Sequence, residues 1–232
     1  MEPIRNVFGE IDYPTSDGEP MGETDLHRQM MVDLIEALRH YYRDDPQTYV
    51  SGNILLYYEE GNPQAHLSPD VLVTRGLANR PRETYKLWVE GKAPEVVVEV
   101  TSRSTRLRDV GVKKGLYEAL GVREYILFDP REEYLLPRFQ VFRREGAGFV
   151  PCLVPEQVGY SSDLGLTFRV VDGVLRIFAP DQQVLPTPAE LGRMLESERE
   201  AAEQERQAAE HERMRAERLA EQLRAAGLEP EV

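Results

Sequence analysis

The segment PEVVVEVT, residues 94–101, constrains the fold more than any other part of the chain. Its valines, at positions 96, 97, 98 and 100, fall on both faces of an extended backbone, and β-branched residues favour strands. A strand that is apolar on both faces has to be covered on both sides, which is typical of a central strand in an α/β sheet. Glu99 interrupts this strand with a carboxylate, which is costly to bury unless it is paired or binds a cation.

The residues that follow predict a strand–helix–strand unit. A polar loop, TSRSTRLRD, comes first, and a helix then runs from Asp109 to Leu120 and ends at Gly121. A second apolar strand, 123–129, closes on a proline. Such a unit favours a parallel pair of strands with a right-handed crossover.

Other patterns predict elements on either side of this unit. Apolar residues at four-residue intervals from Leu26 to Tyr42 predict a helix that begins at Thr24 or Asp25 and runs to about Arg43. Residues 1–23 predict an extended arm or loop. The remaining patterns predict strands at 49–58 and 70–74, a hairpin of 139–143 with 149–154, and a hairpin of 166–171 with 174–178.

The composition of the chain changes at Pro186. Residues 188–226 are dominated by Ala, Glu, Gln and Arg, which are good helix formers, and they predict a helix of roughly 58 Å. Most of its apolar positions are alanines, so a solvated helix with i,i+4 charge pairs and a dimerising coiled coil are both open. The sequence therefore predicts a domain at 1–185 and a charged helix at 186–232.

Composition narrows the classes of function. The single Cys152 excludes a disulfide framework and a cysteine metal cluster. No signal peptide or sufficiently long apolar stretch is present, so we expect a cytoplasmic protein without membrane contact. The net charge is −13, of which residues 1–185 carry −8. Because nucleic-acid affinity depends on neutralising phosphates, any such binding has to come from a local basic site.

Two acidic residues stand in predicted apolar strands and are candidate metal ligands. Asp70 begins one strand, and Glu99 lies near the end of the central one. Their carboxylates, with the backbone carbonyl of Val100, suit Mg²⁺ or Mn²⁺, which prefer oxygen ligands and retain water. Taken singly, Asp70 is also explained as a turn residue, and Glu99 as the partner of a loop arginine.

The loop after the central strand is the main basic cluster outside the C-terminal helix. Its guanidinium and hydroxyl groups are natural phosphate contacts, and the candidates are Arg103, Ser104, Arg106 and Arg108. The same loop is equally explained as a solvated connection with a helix cap at Asp109.

Two segments, SPDVLV (68–73) and PEVVVEVTSRSTRLRDVGVKKGLYEALGVREYILFDP (94–130), resemble the Uma-two family of proposed restriction endonucleases. That family is a branch of the PD-(D/E)XK superfamily. The shared pattern spans about residues 12–180 and includes an Asp, a Lys four residues later and a Tyr four beyond, here Asp109, Lys113 and Tyr117. The resemblance implies an α/β fold with a restriction-endonuclease-like core, a central mixed sheet flanked by helices.

The resemblance also implies roles for individual residues. Asp70 and Glu99 would hold the divalent metal, Mg²⁺ or Mn²⁺. The superfamily's lysine, two residues after the Glu, is replaced here by Thr101. Lys113 is the candidate for a lysine that has moved to the helix, with Tyr117 one turn further on the same face.

The first helix of the superfamily often contributes a supporting acid. Glu36 is the candidate here, although a solvent-facing role also explains it, and Glu23 and His27 are further candidates. The predicted function is metal-assisted phosphodiester hydrolysis of nucleic acid by a homodimeric endonuclease without a covalent nucleophile; DNA is the expected substrate, and the sequence does not distinguish it from RNA. Two alternatives stay open: a catalytically silent nuclease fold that binds nucleic acid or protein, which Thr101 favours, and an interaction protein whose C-terminal helix recruits a partner.

Overall fold

A computed structural model describes residues 11–16, 24–155 and 158–226 of the 232-residue chain. The chain divides into one compact unit that ends at Thr187 and a second that begins at Pro188. Most of the predicted N-terminal arm, including Glu23, lies outside the described residues.

The helices account for the predicted helical patterns. A π-helical segment, Arg108–Lys113, leads directly into α3. The α-helices of the described residues are α1 (Asp25–Tyr41), α2 (Leu87–Glu90), α3 (Lys114–Leu120) and α4 (Pro188–Ala225). None of them is both long and apolar enough to cross a membrane.

Strands of the described residues form three sheets. They are β1 (Thr48–Ser51), β2 (Leu56–Tyr57), β3 (His66–Leu67), β4 (Val71–Arg75), β5 (Tyr85–Lys86), β6 (Val96–Val100), β7 (Glu124–Phe128), β8 (Phe139–Glu145), β9 (Gly148–Cys152), β10 (Tyr160–Ser161), β11 (Thr167–Val171) and β12 (Val174–Phe178). The large sheet has the order β1-β4-β6-β7-β8-β9, and two small sheets have the orders β3-β2-β5 and β10-β11-β12.

The large sheet is mixed. β6 and β7 are parallel and are joined through α3, as the strand–helix–strand pattern predicts, and every other neighbouring pair is antiparallel. All five residues of β6 are buried, as expected of a central strand. The predicted α/β fold class, with a central mixed sheet and a long C-terminal helix, is confirmed.

Each face of the large sheet carries its own core. On one face, Val96, Val98 and Val100 pack with α1, β11 and β12. On the other, Val97 packs with Tyr117 of α3 and with residues of β2 and β5. Glu99 alternates with Val98 and Val100 along β6, so it faces the side that α3 covers.

The predicted continuous strand at 49–58 is wrong, because the chain breaks between β1 and β2. Asn53 has a φ of 49°, and its backbone N–H donates to the carbonyl of Pro69 at 2.8 Å. A Cβ built on Gly52 would lie 2.0 Å from the carbonyl oxygen of Asp70. Glycine is therefore required for this close approach, which fixes the backbone at the start of β4.

Helix α4 makes up the described part of the second unit, and none of its residues is buried. Ion pairs lie along its surface, such as Arg206 with Glu203 at 3.0 Å and Arg213 with Glu217 at 3.0 Å. Such pairs on an exposed surface stabilise an isolated helix only slightly. They are consistent with a solvated helix and with the outer face of a coiled coil, so both interpretations remain predictions.

Candidate active site

Glu99 of β6 is a buried carboxylate with both oxygens hydrogen-bonded. The hydroxyl of Tyr117 donates to Oε1 at 2.8 Å, and the ammonium of Lys113 donates to Oε2 at 2.7 Å. Only 1% of Glu99 is exposed. The spacing of Lys113 and Tyr117, four residues apart on successive helical turns, lets one side of the helix hold both oxygens.

The ammonium group of Lys113 is surrounded by oxygen atoms. Besides Glu99, its Nζ is 3.4 Å from Oδ1 of Asp109 and 3.4 Å from the backbone carbonyl of Ser68. Asp109 and Lys113, four residues apart, are the two buried residues of the π-helical segment. One ammonium group therefore faces two buried carboxylates.

Asp70 lies at the same end of the sheet as Glu99. Val71 is opposite Val98 in the antiparallel pairing of β4 and β6, so extending the register by one residue places Asp70 opposite Glu99. The backbone N–H of Val100 donates to Oδ2 of Asp70 at 2.7 Å. Oδ2 is also 3.0 Å from Nε2 of His27, while Oδ1 makes no hydrogen bond within the described residues.

Charge at this site is unevenly balanced. Burial raises the pKa of Glu99 well above its usual value, and the charges of Asp70 and Asp109 raise it further, while Lys113 opposes both. Burial lowers the pKa of Lys113, but the surrounding carboxylates outweigh burial and the net shift is upward. Lys113 therefore stays charged between Glu99 and Asp109, and the nearby charge of Asp70 adds to theirs, so the site favours an added proton or cation.

A cleft of about 600 Å³ opens beside these residues. Its lining comes from the start of α1, from the loop after β6 and from the loop after β7. The lining residues are Thr24, His27, Thr101, Ser102, Arg103, Ser104, Pro130, Arg131, Glu133 and Tyr134. β6 and β7 are parallel neighbours, so the loops that follow them meet at one edge of the sheet. Thr101 is buried, and its hydroxyl has no hydrogen-bond partner in the described part of the chain.

The donor set suits a hydrated divalent cation. Among the described residues, no group of three or more His, Cys, Asp or Glu side chains is arranged to hold a metal. Mg²⁺, however, keeps several waters and is usually held by one or two carboxylates. Asp70 and Glu99 provide those carboxylates, and the charge excess favours a cation. The contact from Val100 to Asp70 is made by its backbone N–H, so the metal-ligand role of the Val100 carbonyl stays a prediction. The residues therefore fit Mg²⁺ or Mn²⁺.

The structure does not bring Glu36 to this site. Glu36 is partly exposed and pairs with Arg39 at 2.9 Å. It lies nine residues beyond His27 on α1, about 13 Å along the helix axis. His27, a lesser candidate from the sequence, instead supplies the contact from α1, where its backbone N–H donates to the cap residue Thr24.

The predicted phosphate-binding residues separate into two groups. Arg103 and Ser104 line the cleft. Arg106 and Arg108 are exposed on the turns that follow, and the guanidinium carbon of Arg106 is 5.8 Å from the ring centroid of Tyr134.

Sequence reasoning missed two parts of the site. Asp109 belongs to the family pattern but was not assigned to the cluster, and the cleft wall at 130–134 was not predicted. The Asp129-Pro130 pair that ends β7 was the available signal, because a strand parallel to β6 delivers its following loop to the same edge.

The fold and the site together define an α/β protein with acidic residues clustered at one edge of a mixed sheet, beside a cleft with basic residues. The profile of the Uma2 family, described as "Putative restriction endonuclease", matches residues 9–177, and the chain belongs to this family. The resemblance seen in the sequence is thereby confirmed.

No curated protein matches the chain. A crystal structure described as a putative nuclease belonging to DUF820, from Anabaena variabilis, is similar over 61% of this chain and 79% of that one, with 15% sequence identity and a TM-score of 0.42.

Proposed function

We propose that the chain is a metal-dependent endonuclease that hydrolyses phosphodiester bonds of DNA. The observation that carries this proposal is the β4–β6 register, which places Asp70 opposite Glu99 when it is extended by one residue, beside a cleft lined by Arg103 and Ser104. The family's description supports a nuclease, and the donor set supports Mg²⁺ or Mn²⁺.

Asp70 and Glu99 would hold the metal. A bound divalent ion lowers the pKa of a coordinated water and offsets charge that develops on the phosphate. His27 and the backbone of Val100 hold Asp70 through Oδ2, which leaves Oδ1 for the cation. Tyr117 fixes the orientation of Glu99, and burial keeps the pKa of the Tyr117 hydroxyl well above its usual value, so it remains a donor.

Lys113 would replace the superfamily's lysine, whose position two residues after the Glu is occupied here by Thr101. Its Nζ carries a fixed positive charge next to Glu99, which favours the ionised carboxylate that a metal requires. The same charge stabilises the negative charge of the transition state, and the low-polarity surroundings strengthen that effect.

The cleft loop supplies local positive charge despite the acidic chain. Arg103 and Ser104 would contact the scissile phosphate and its neighbour, and the exposed Arg106 and Arg108 would contact the flanking backbone.

A cleavage assay on single- and double-stranded DNA with Mg²⁺ and with Mn²⁺ tests the proposal. Glu99→Gln should lower the rate at least tenfold, about 1.4 kcal/mol of transition-state stabilisation. Glu95→Gln is the matched control, because Glu95 also lies near β6 but pairs with Arg75 at 2.7 Å. Cleavage by Glu99→Gln at the wild-type rate would reject the metal site.

A silent nuclease fold is the second candidate. Thr101 stands at the motif lysine position, and the ammonium of Lys113 is already bound to Glu99. A protein that binds DNA but cleaves none with either metal would establish this alternative.

A further inference from the structure

The loop 129–135 is held in one conformation by a single carboxylate. Asp129 is fully buried, and its Oδ1 accepts hydrogen bonds from the backbone N–H groups of Arg131 at 2.9 Å and Glu132 at 3.0 Å. Its Oδ2 accepts from the N–H groups of Tyr134 at 2.6 Å and Leu135 at 3.0 Å. Four backbone groups are thus fixed by one side chain. The entropic cost of ordering this loop when a ligand binds is therefore small.

A second set of bonds holds the same loop from the other side. The guanidinium of Arg138 donates to the carbonyl of Asp129 at 3.1 Å and to that of Pro130 at 2.6 Å. Leu135 is buried in the core next to Tyr125 and Leu127. The loop therefore presents Tyr134 to the cleft from a rigid base.

Tyr134 is a half-buried aromatic residue in a cleft whose lining includes the basic Arg103 and Arg131 and the acidic Glu133. It lines the same cleft as Arg103 and Ser104, and the guanidinium carbon of Arg106 lies 5.8 Å from the centroid of its ring. Aromatic rings and guanidinium planes beside a basic groove are the groups on which nucleobases stack. A base inside a duplex cannot make this contact, because neighbouring bases cover both of its faces.

We propose that Tyr134 is a stacking platform for an unpaired base, so that the cleft takes single-stranded or locally unstacked DNA. This inference rests on the proposed nuclease function and names the form of its substrate. The cleft volume of about 600 Å³ suits a nucleotide that has left its helix, since it falls within the ~300–1,000 Å³ of small-ligand sites.

Binding of short labelled DNA without cleavage tests the proposal. The full-length protein is titrated, in EDTA and in Ca²⁺, into a single-stranded oligonucleotide and into the same sequence as a duplex, and fluorescence anisotropy gives the dissociation constants. Wild type should prefer the single strand. Tyr134→Ala should weaken single-strand binding about 5- to 100-fold, as expected for the loss of one stacked base, while leaving duplex binding unchanged.

Two variants and one probe separate stacking from folding. Tyr134→Phe keeps the ring and should bind within about twofold of wild type. Tyr41→Ala removes a tyrosine on α1 that contacts Tyr42, and it should bind as wild type does. A 2-aminopurine placed in the single strand should lose fluorescence on binding to wild type and to Tyr134→Phe, but not to Tyr134→Ala.

The outcomes distinguish this inference from the proposed function. Equal single-strand affinity of Tyr134→Ala and wild type, or unchanged 2-aminopurine fluorescence on binding to wild type, overturns the stacking role even if the protein cleaves DNA. Stacking without cleavage in Mg²⁺ or Mn²⁺ supports the stacking role and rejects the nuclease proposal. Absence of binding to both oligonucleotides rejects the stacking role.

Discussion

The ammonium of Lys113 lies 2.7 Å from Oε2 of Glu99, and both side chains are buried. The lysine reaches the strand carboxylate from the π-helical segment, 14 residues later in the chain. A charge in this position depends on its partner, because removing one member of a buried pair leaves the other uncompensated.

Replacing Lys113 should destabilise the fold as well as the site. Lys113→Met leaves Glu99 and Asp109 without their cation, so the free energy of unfolding at neutral pH should fall by about 3–5 kcal/mol in urea titrations. The double variant Lys113→Met/Glu99→Gln should recover part of that loss. Lys114→Met is the control: Lys114 lies over the ring of Phe142, and its loss should cost at most about 1 kcal/mol. Equal losses for the two lysines would contradict the pairing.

The raised pKa of Glu99 predicts a pH dependence of stability in EDTA. The folded protein binds the Glu99 proton more tightly than the unfolded chain does, for which the pKa is 4.5. The contribution of this proton to the free energy of unfolding is therefore fully present below pH 4.5, and it is lost as the pH rises through the higher pKa of the folded state. Urea titrations between acidic and neutral pH should show a smaller decline for Glu99→Gln than for wild type. If the free energies of unfolding of the two proteins changed with pH in parallel, the raised pKa of Glu99 would be contradicted.

A divalent metal should stabilise the folded protein by binding Asp70 and Glu99. At a concentration of Mg²⁺ or Mn²⁺ near 100 times the dissociation constant, the gain is about 2.7 kcal/mol, which thermal unfolding detects. Asp70→Asn should abolish the gain, and Glu95→Gln should retain it. If the metal raised the melting temperature of Asp70→Asn as much as that of wild type, the metal would bind elsewhere.

His27 should act on the metal through Asp70. His27→Ala removes the side-chain contact at 3.0 Å that holds Oδ2, and loss of such supporting contacts typically costs about 10- to 100-fold in metal affinity or activity. His40→Ala on the same helix is the control, because His40 contacts Arg43 and lies apart from the site. Metal titration monitored by thermal shift measures both variants, and unaltered affinity in His27→Ala would exclude the supporting role.

A methyl group at Gly52 should displace the backbone of Asp70 and so disturb the site. Gly52→Ala places a carbon where the carbonyl of Asp70 lies, so the loop has to move and both the melting temperature and the metal-dependent shift should fall. Gly111→Ala has no atom within 4 Å of the new carbon and should be neutral or slightly stabilising. Loss of stability without loss of metal binding would show that Asp70 tolerates the shift.

Much of the fold could be predicted from local patterns. The valines of β6 identified a central strand, and Gly121, which ends α3 at a φ of 90°, marked the crossover to β7. The association of Glu99 with Lys113 and Tyr117 was implied by the family resemblance, and the four-residue spacing placed the lysine and the tyrosine on one face of the helix.

The remaining features depend on contacts between distant parts of the chain. His27 meets Asp70 across 43 residues, and no local spacing distinguishes it from Glu36 on the same helix. The break at Gly52 depends on the backbone of Asp70, which the strand pattern of 49–58 does not show. The role of Asp109 depends on the π-helical turn, which sequence propensity does not predict.

The parallel arrangement of β6 and β7 has a practical consequence for engineering. Two loops that line the cleft leave the sheet at the same edge, whereas the positions of Asp70 and Glu99 are set by the strand register. Exchange of the segments 102–106 and 130–134 between relatives should therefore transfer substrate preference while the proposed metal ligands stay in place, which makes this chain a scaffold for altered specificity.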